Sequence, residues 1–223
     1  DPGQIGTVAR AIDPARTLFV VSSKSGSTLE PEILRSYFFD LVEKTVGKDN
    51  AGKHFVAVTD PGSHLEKVAR EHGYAHVFSG DPAIGGRYSV LSVFGMVPAA
   101  IIGMDVRAFF AATRAMVLAC GPDAPPAANP ATRLGAIIGE AVKAGRDKLT
   151  ILPSAGLAPL GPWLEQLLAE STGKHGTGVV PVDGEPAGEP GVYGADRLFV
   201  ALHLVGDEDA ALEAKIAALE KAG

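Results

Sequence analysis

The sequence is poor in cysteine, in clustered basic charge and in long apolar runs, and each shortage excludes something. Cys120 is the single cysteine, set in the apolar context AMVLACG, so no internal disulfide forms. A secreted disulfide scaffold is therefore excluded, a reducing, cytoplasmic compartment is expected, and Cys120 reads as packing. Twenty Lys and Arg against 26 Asp and Glu give a formal net charge of −6, and no stretch concentrates the basic residues. This opposes general affinity for nucleic acid or an anionic membrane; any phosphate is bound at one local site. The longest apolar run, VLSVFGMVPAAIIGM at 90–104, is shorter than the roughly 20 residues of a membrane-spanning helix. No charged segment followed by an apolar one opens the chain, so a soluble protein is expected. It starts with Asp1-Pro2 rather than methionine and reads as a piece of a longer polypeptide. His72 and His76 are four apart, but Gly73 and the strand after it keep them off a common helix face, which speaks against a metal site.

What is present fills a core: 46% of the 223 residues are hydrophobic, enough for one large or two small α/β domains. TLFVVS at 17–22 and HFVAVT at 54–59 are short apolar runs without polar alternation, the pattern of strands buried on both faces of a parallel sheet. Between them LEPEILRSYFFDLVEKTV places Ile33, Leu34, Tyr37, Phe38, Leu41 and Val42 at helical spacing. After the second strand, Ser63 and Glu66 stand in capping-box relation. A third strand at 75–79, the loop GDPAIGGRYS, a buried helix interrupted by Pro98 and a helix near 106–119 complete the alternation. GPDAPPAANP at 121–130 holds four prolines without periodicity and reads as a linker. A second alternating unit follows, with strands expected at KLTILP (148–153), near TGVVPV (177–182) and at DRLFVALHLV (196–205), a loop at 184–191, and a last helix at 207–222. The expected fold class is α/β, in three-layer αβα units with doubly wound parallel sheets. The expected domains are 1–120 and 131–223 on either side of the linker.

SSKSGSTLEP at 22–31 lies at the carboxyl end of the first strand and the amino end of the following helix, where open α/β sheets bind ligands. The free N–H groups of a first helical turn favour an anion. Ser23, Ser25, Ser27 and Thr28 add hydroxyl donors, and Lys24 adds charge. Thr28 suits the cap better than Ser27, because it puts Pro31 at the third helical position, where a missing N–H does no harm. The stretch does not match a nucleotide P-loop.

SSKSGSTLEP, then AIGGRYSVLS, then LAESTGK resembles the glucose-6-phosphate isomerase family. Its two sugar isomerase (SIS) domains use an S-K-[ST]-x-x-T phosphate loop, a G-G-R-[FY]-S loop and an E-S-x-G-K turn in that order. The passage from ESTGK through GVVPVDGEPAG to YGADRLFV is similar to the form of this isomerase fused behind a transaldolase. The resemblance implies that Ser23, Lys24, Ser25 and Thr28 hold a sugar phosphate, and that Gly86 and Arg87 face the reacting end. There a fixed cation suits the developing charge of an enediolate. It implies Glu170 as the base that moves a proton between C2 and C1. Lys174 reads as structural. It implies no cofactor and no metal, and a homodimer in the full-length parent.

The family's upstream glycine-serine loop and its C-terminal segment with a glutamine and a lysine of the site have no match here. Neither His175 nor His203 sits in a family motif, and His203 reads as a satisfied strand residue. Full activity of this chain alone is therefore not expected. A sugar-phosphate-binding SIS module without turnover is the other reading; such a module needs the serine loop but neither the G-G-R-Y-S loop nor the glutamate turn, and both are present.

Overall fold

Val20, Val21, Val56 and Val58 are β-branched residues, stiff in a helix and well suited to a pleated surface. In the computed structural model all four lie in strands. The structure describes every residue except Ala187, which falls in the loop expected at 184–191. Contacts divide it into two compact units, Asp1–Ala111 and Ala112–Gly223. Each is built on a three-stranded, all-parallel sheet.

The first unit runs α1 (Pro2–Ala11), β1 (Phe19–Ser22), α2 (Leu29–Val46), α3 (Lys48–Ala51), β2 (Phe55–Thr59), α4 (His64–Glu71), β3 (His76–Ser79), α5 (Val93–Ile101) and α6 (Val106–Ala119), the division falling within α6. Strand order is β1-β2-β3, with Phe19 opposite Phe55 and Val56 opposite His76. Central β2 is buried along its whole length. Alternation along the strand sends Phe55 and Ala57 to one face. There Phe55 packs against Phe39 and Val42 of α2, and Ala57 against Leu65 and Ala69 of α4.

The expected apolar stripe of α2 holds at Val42, with Phe38 packed beside the core, and fails toward the helix start. Phe39 and Val42 are the buried pair, while Ile33, Leu34 and Tyr37 are exposed. Four neighbouring apolar residues, Tyr37-Phe38-Phe39 with Leu41 two on, fit more than one helical phase, and Phe39 wins by reaching the Phe55 ring at 5.2 Å between centroids. Helix α1 has no counterpart among the expected elements. Its signal is Asp1-Pro2: the Asp1 carboxylate accepts the Gly3 N–H at 2.8 Å, and Pro2 takes a helical position that needs no donor. Helix α5 continues through Pro98, and none of its residues is buried, against the expectation of an interrupted, buried helix.

The second unit runs α7 (Pro130–Lys143), β4 (Lys148–Pro153), α8 (Gly161–Thr172), β5 (Val180–Val182), β6 (Arg197–Leu202) and α9 (Ala210–Ala222). The order β5-β4-β6 puts β4 at the centre. Leu149, Ile151 and Val179 form its core, packed by Leu164 and Leu168 of α8 and Ile138 and Val142 of α7. The end of the proline-rich stretch belongs to α7: Asn129 is its cap, accepting the Thr132 N–H at 3.0 Å, and Pro130 follows. Strand β6 stops before His203, whose Nδ1 lies 2.9 Å from Glu213 Oε1. His203 is thus not the strand residue expected from VALHLV but is tied to α9. Among the described residues, no helix is long and apolar enough to cross a membrane.

Candidate active site

Strand β1 ends at Ser22 and α2 starts at Leu29, so residues 23–28 form the loop at the carboxyl edge of the first sheet. Thr28 is the residue before α2 and gives it no side-chain cap. The first-turn amides of α2 and the Thr28 hydroxyl are therefore not spent on each other. The loop is held from inside. Ser23 Oγ accepts the Gly26 N–H at 3.1 Å, and Ser25 Oγ accepts the Ser27 hydroxyl at 2.9 Å. Gly26 is buried at φ +67°, a backbone conformation that glycine adopts at little cost. Ser23, Gly26 and Thr28 line one small hollow with Glu32 and Leu65.

The carboxyl end of β2 supplies the other supports. Thr59 Oγ1 donates to the Ser23 carbonyl at 2.6 Å, the Asp60 N–H to the Lys24 carbonyl at 3.1 Å. Ser63 caps α4 by accepting the Glu66 N–H at 3.1 Å, as the capping-box spacing predicts. The return half differs: Glu66 accepts from the Gly62 N–H, because the Ser63 N–H is taken by the Asp60 carbonyl at 3.2 Å. Glu66 is held below its ordinary range by Arg70 and by that backbone bond.

The Lys24 ammonium is turned to Asp60, 2.8 Å from Oδ2 and 2.9 Å from Oδ1. It also donates to the Asp81 carbonyl at 3.0 Å and stands 5.1 Å from the Phe94 ring centroid. Gly86 is close by: a Cβ there would be 3.9 Å from Lys24 Cδ. Lys24 and the G-G-R-Y-S turn therefore adjoin. That turn is a single tight helical turn, Gly86–Tyr88, closed by the buried Ser89, whose Oγ donates to the Gly86 carbonyl at 2.6 Å. Arg87 sits in it, partly buried. Asp60 and Asp81 were missed by sequence reasoning. Each is an acidic residue just past the end of a parallel strand, but no sequence spacing ties either of them to Lys24.

Glu170 belongs to the second unit, in the last turn of α8. Leu164 and Leu168 face the core, and two residues on from Leu168 the helix has turned about 200°. Glu170 therefore points away from that core and is exposed. Trp163 of α8 and Leu160 just before it are 41% exposed each. Gly173 ends the helix, its N–H donating to the Ala169 carbonyl at 2.9 Å. Lys174 and Thr177 then pair across a tight turn with His175 at φ +53° and Gly176 at +78°. Thr172 Oγ1 receives the Val179 N–H at 2.9 Å, so the segment carrying Glu170 is pinned to the residue just before β5. Lys174 and His175 both lie in this turn.

The family model for phosphoglucose isomerase matches residues 1–201, a span that contains the serine loop, Arg87 and Glu170. The chain belongs to the phosphoglucose isomerase family. It is 34% identical over 178 residues to the glucose-6-phosphate isomerase of Carboxydothermus hydrogenoformans, covering 78% of this chain and 38% of that protein. With the glucose-6-phosphate isomerase of a Synechococcus species it shares 40% identity over 167 residues, 71% of this chain and 30% of the relative. The chain thus spans about a third of these relatives. Among solved structures, a hypothetical protein of Thermus thermophilus superposes with a TM-score of 0.78 at 25% identity, over 99% of this chain and 57% of that one. The Chlamydia trachomatis glucose-6-phosphate isomerase gives a TM-score of 0.63 at 30% identity, over 82% and 38%. The α/β fold with parallel sheets is thus similar to that of a solved glucose-6-phosphate isomerase. A fusion to transaldolase finds no support in these matches.

Proposed function

We propose that this sequence carries part of the site for aldose-ketose isomerisation of a phosphorylated hexose, converting glucose 6-phosphate to fructose 6-phosphate. The observation that carries the reading is the serine loop. A family match spanning residues 1–201 coincides with a hydroxyl-lined loop at a strand's carboxyl edge, whose helix receives no side-chain cap. Such a loop suits the phosphate, a group that takes no part in the chemistry. Ser23, Ser25 and Thr28 meet its oxygens, with Lys24 and the Gly86 backbone at the same edge.

Chemistry then falls to Arg87 and Glu170. Glu170 removes the C2 proton and returns it to C1, and the oxygen charge of the enediolate between the two steps is met by the Arg87 guanidinium. The reading takes residues 1–120 and 131–223 as two SIS domains, the working protein as a homodimer of the longer polypeptide, and the cytoplasm as its compartment. The test is to incubate glucose 6-phosphate with the full-length parent polypeptide in D₂O and follow the C2 proton by NMR. Fructose 6-phosphate with solvent deuterium at the transferred position is expected. Binding without exchange would leave a sugar-phosphate-binding module, and no binding would end the reading.

A further inference from the structure

Three strand ends meet at one side chain. The Lys24 backbone follows β1, Asp60 is the first residue after β2, and Asp81 is the second after β3. The Lys24 ammonium bonds the Asp60 carboxylate at 2.8 and 2.9 Å and the Asp81 carbonyl at 3.0 Å. The pair is mostly covered, with 22% of the lysine side chain and 17% of the aspartate exposed. The packing around it is close, since a Cβ on Gly80 would stand 2.5 Å from Asp60 Oδ1. Gly86 of the arginine-bearing turn borders the lysine stem.

We propose that Lys24 and Asp60 are positioning residues: their ion pair clasps the ends of the three strands, setting the serine loop and the Gly86–Tyr88 turn in one geometry. The loop's hydroxyls and amides, rather than the ammonium, then meet the phosphate. This rests on the isomerase reading for its ligand. The charge argument is direct. An unpaired Asp60 carboxylate at this edge would repel an arriving dianion, and removing Lys24 to contact that dianion would leave Asp60 partly buried and uncompensated. A lysine that stays on Asp60 cancels the repulsion and keeps the edge closed. Arginine at position 24 preserves the pairing with a carboxylate, whereas methionine preserves only the length.

The two roles for Lys24 predict opposite signs. If the ammonium were a phosphate ligand, Asp60→Asn and Asp60→Ala would free it and tighten binding of inorganic phosphate. As a clasp, both substitutions weaken binding of phosphate and of glucose 6-phosphate by about 5- to 30-fold, the range of one modest interaction. They lower kcat as well as raise KM, because the arginine turn shifts with the loop. Lys24→Met does the same, Lys24→Arg restores most of the loss, and Lys24→Met with Asp60→Ala is no worse than either alone. Tighter phosphate binding by the Asp60 variants overturns the proposal. Amide hydrogen exchange, measured on wild type and Asp60→Asn, reads the clasp without any ligand. Exchange at residues 24–28, 80–81 and 86–88 should quicken about tenfold with little change elsewhere. Unchanged exchange there overturns the clasp even if phosphate is never bound. Failure of wild type to bind either ligand, with the exchange effect intact, overturns the isomerase reading and leaves the clasp standing.

Discussion

A Cβ placed on Gly26 would lie 2.8 Å from the Cβ of Leu65: the serine loop is seated on the first turn of α4. Gly26→Ala therefore meets two obstacles, a left-handed backbone costing roughly 1–2 kcal/mol and an overlap with a residue that is 2% exposed. We predict a lower melting temperature and weaker glucose 6-phosphate binding together. Gly47, also at positive φ, has open space around its missing Cβ, so Gly47→Ala should show the backbone cost without the binding loss. Equal binding by both variants would detach the loop's seat from its function.

Much of this site was legible because it is local. A strand, a hydroxyl-rich loop and a helix succeed one another within residues 19–46, and Thr28 stands at the helix start as Pro31 requires; β1 itself is half-buried rather than covered on both faces. The β4 boundaries likewise follow from one apolar run. What was not legible was long-range. Nothing near Lys24 announces that Asp60, 36 residues on, will take its charge. The phase of α2 depended on which aromatic met Phe55, and His203 left the strand pattern for Glu213 on α9. In each case sequence spacing permitted several partners and tertiary packing selected one.

Arg35 and Glu32 supply a pH-dependent test of the scaffold under the loop. The Arg35 side chain is 10% exposed and its Nε lies 2.9 Å from Glu32 Oε2. That hydrogen bond, opposed by burial, holds the Glu32 carboxyl below its ordinary value. A depressed carboxyl stabilises the fold above its unfolded pKa and stops doing so as pH falls through the folded one. We predict that Glu32→Gln costs about 0.5–1 kcal/mol at neutral pH, discounted for solvent screening. The gap between variant and wild type should close as pH drops below about 4. Urea melts across that range decide it; a gap independent of pH would mean that the charge of Glu32 contributes nothing.

Ser25→Ala with Thr28→Ala removes two hydroxyls from the loop but leaves its helix without any lost cap bond, since Thr28 gives α2 none. The fold should hold. A phosphate far from the reacting carbons is gripped equally in ground and transition states, so the loss belongs mainly in KM, with kcat nearly unchanged. Steady-state kinetics on the double variant measure the split. A fall in kcat at constant KM would mean that the loop serves the chemistry and not the anchor.

Glu170→Gln divides binding from chemistry most sharply. Glutamine keeps the size and the exposed position of the side chain at the end of α8, and the pinning of that segment by Thr172 and Gly173 does not involve the carboxylate. It cannot accept the C2 proton. In the full-length parent we predict that glucose 6-phosphate binds nearly as before while turnover falls by about 10²- to 10⁴-fold, the usual cost of losing a general base. Turnover alone would not prove the role, because a displaced substrate also reacts slowly. Exchange of the C2 proton with solvent isolates the step: it needs a base within reach of C2 of the open-chain sugar, and it proceeds even where product release limits the rate. In the glutamine variant that exchange should be lost along with turnover. If it persists at the wild-type rate, Glu170 is not the base, and the search passes to the histidines, His175 in the tight turn after α8 and His203 beside Glu213.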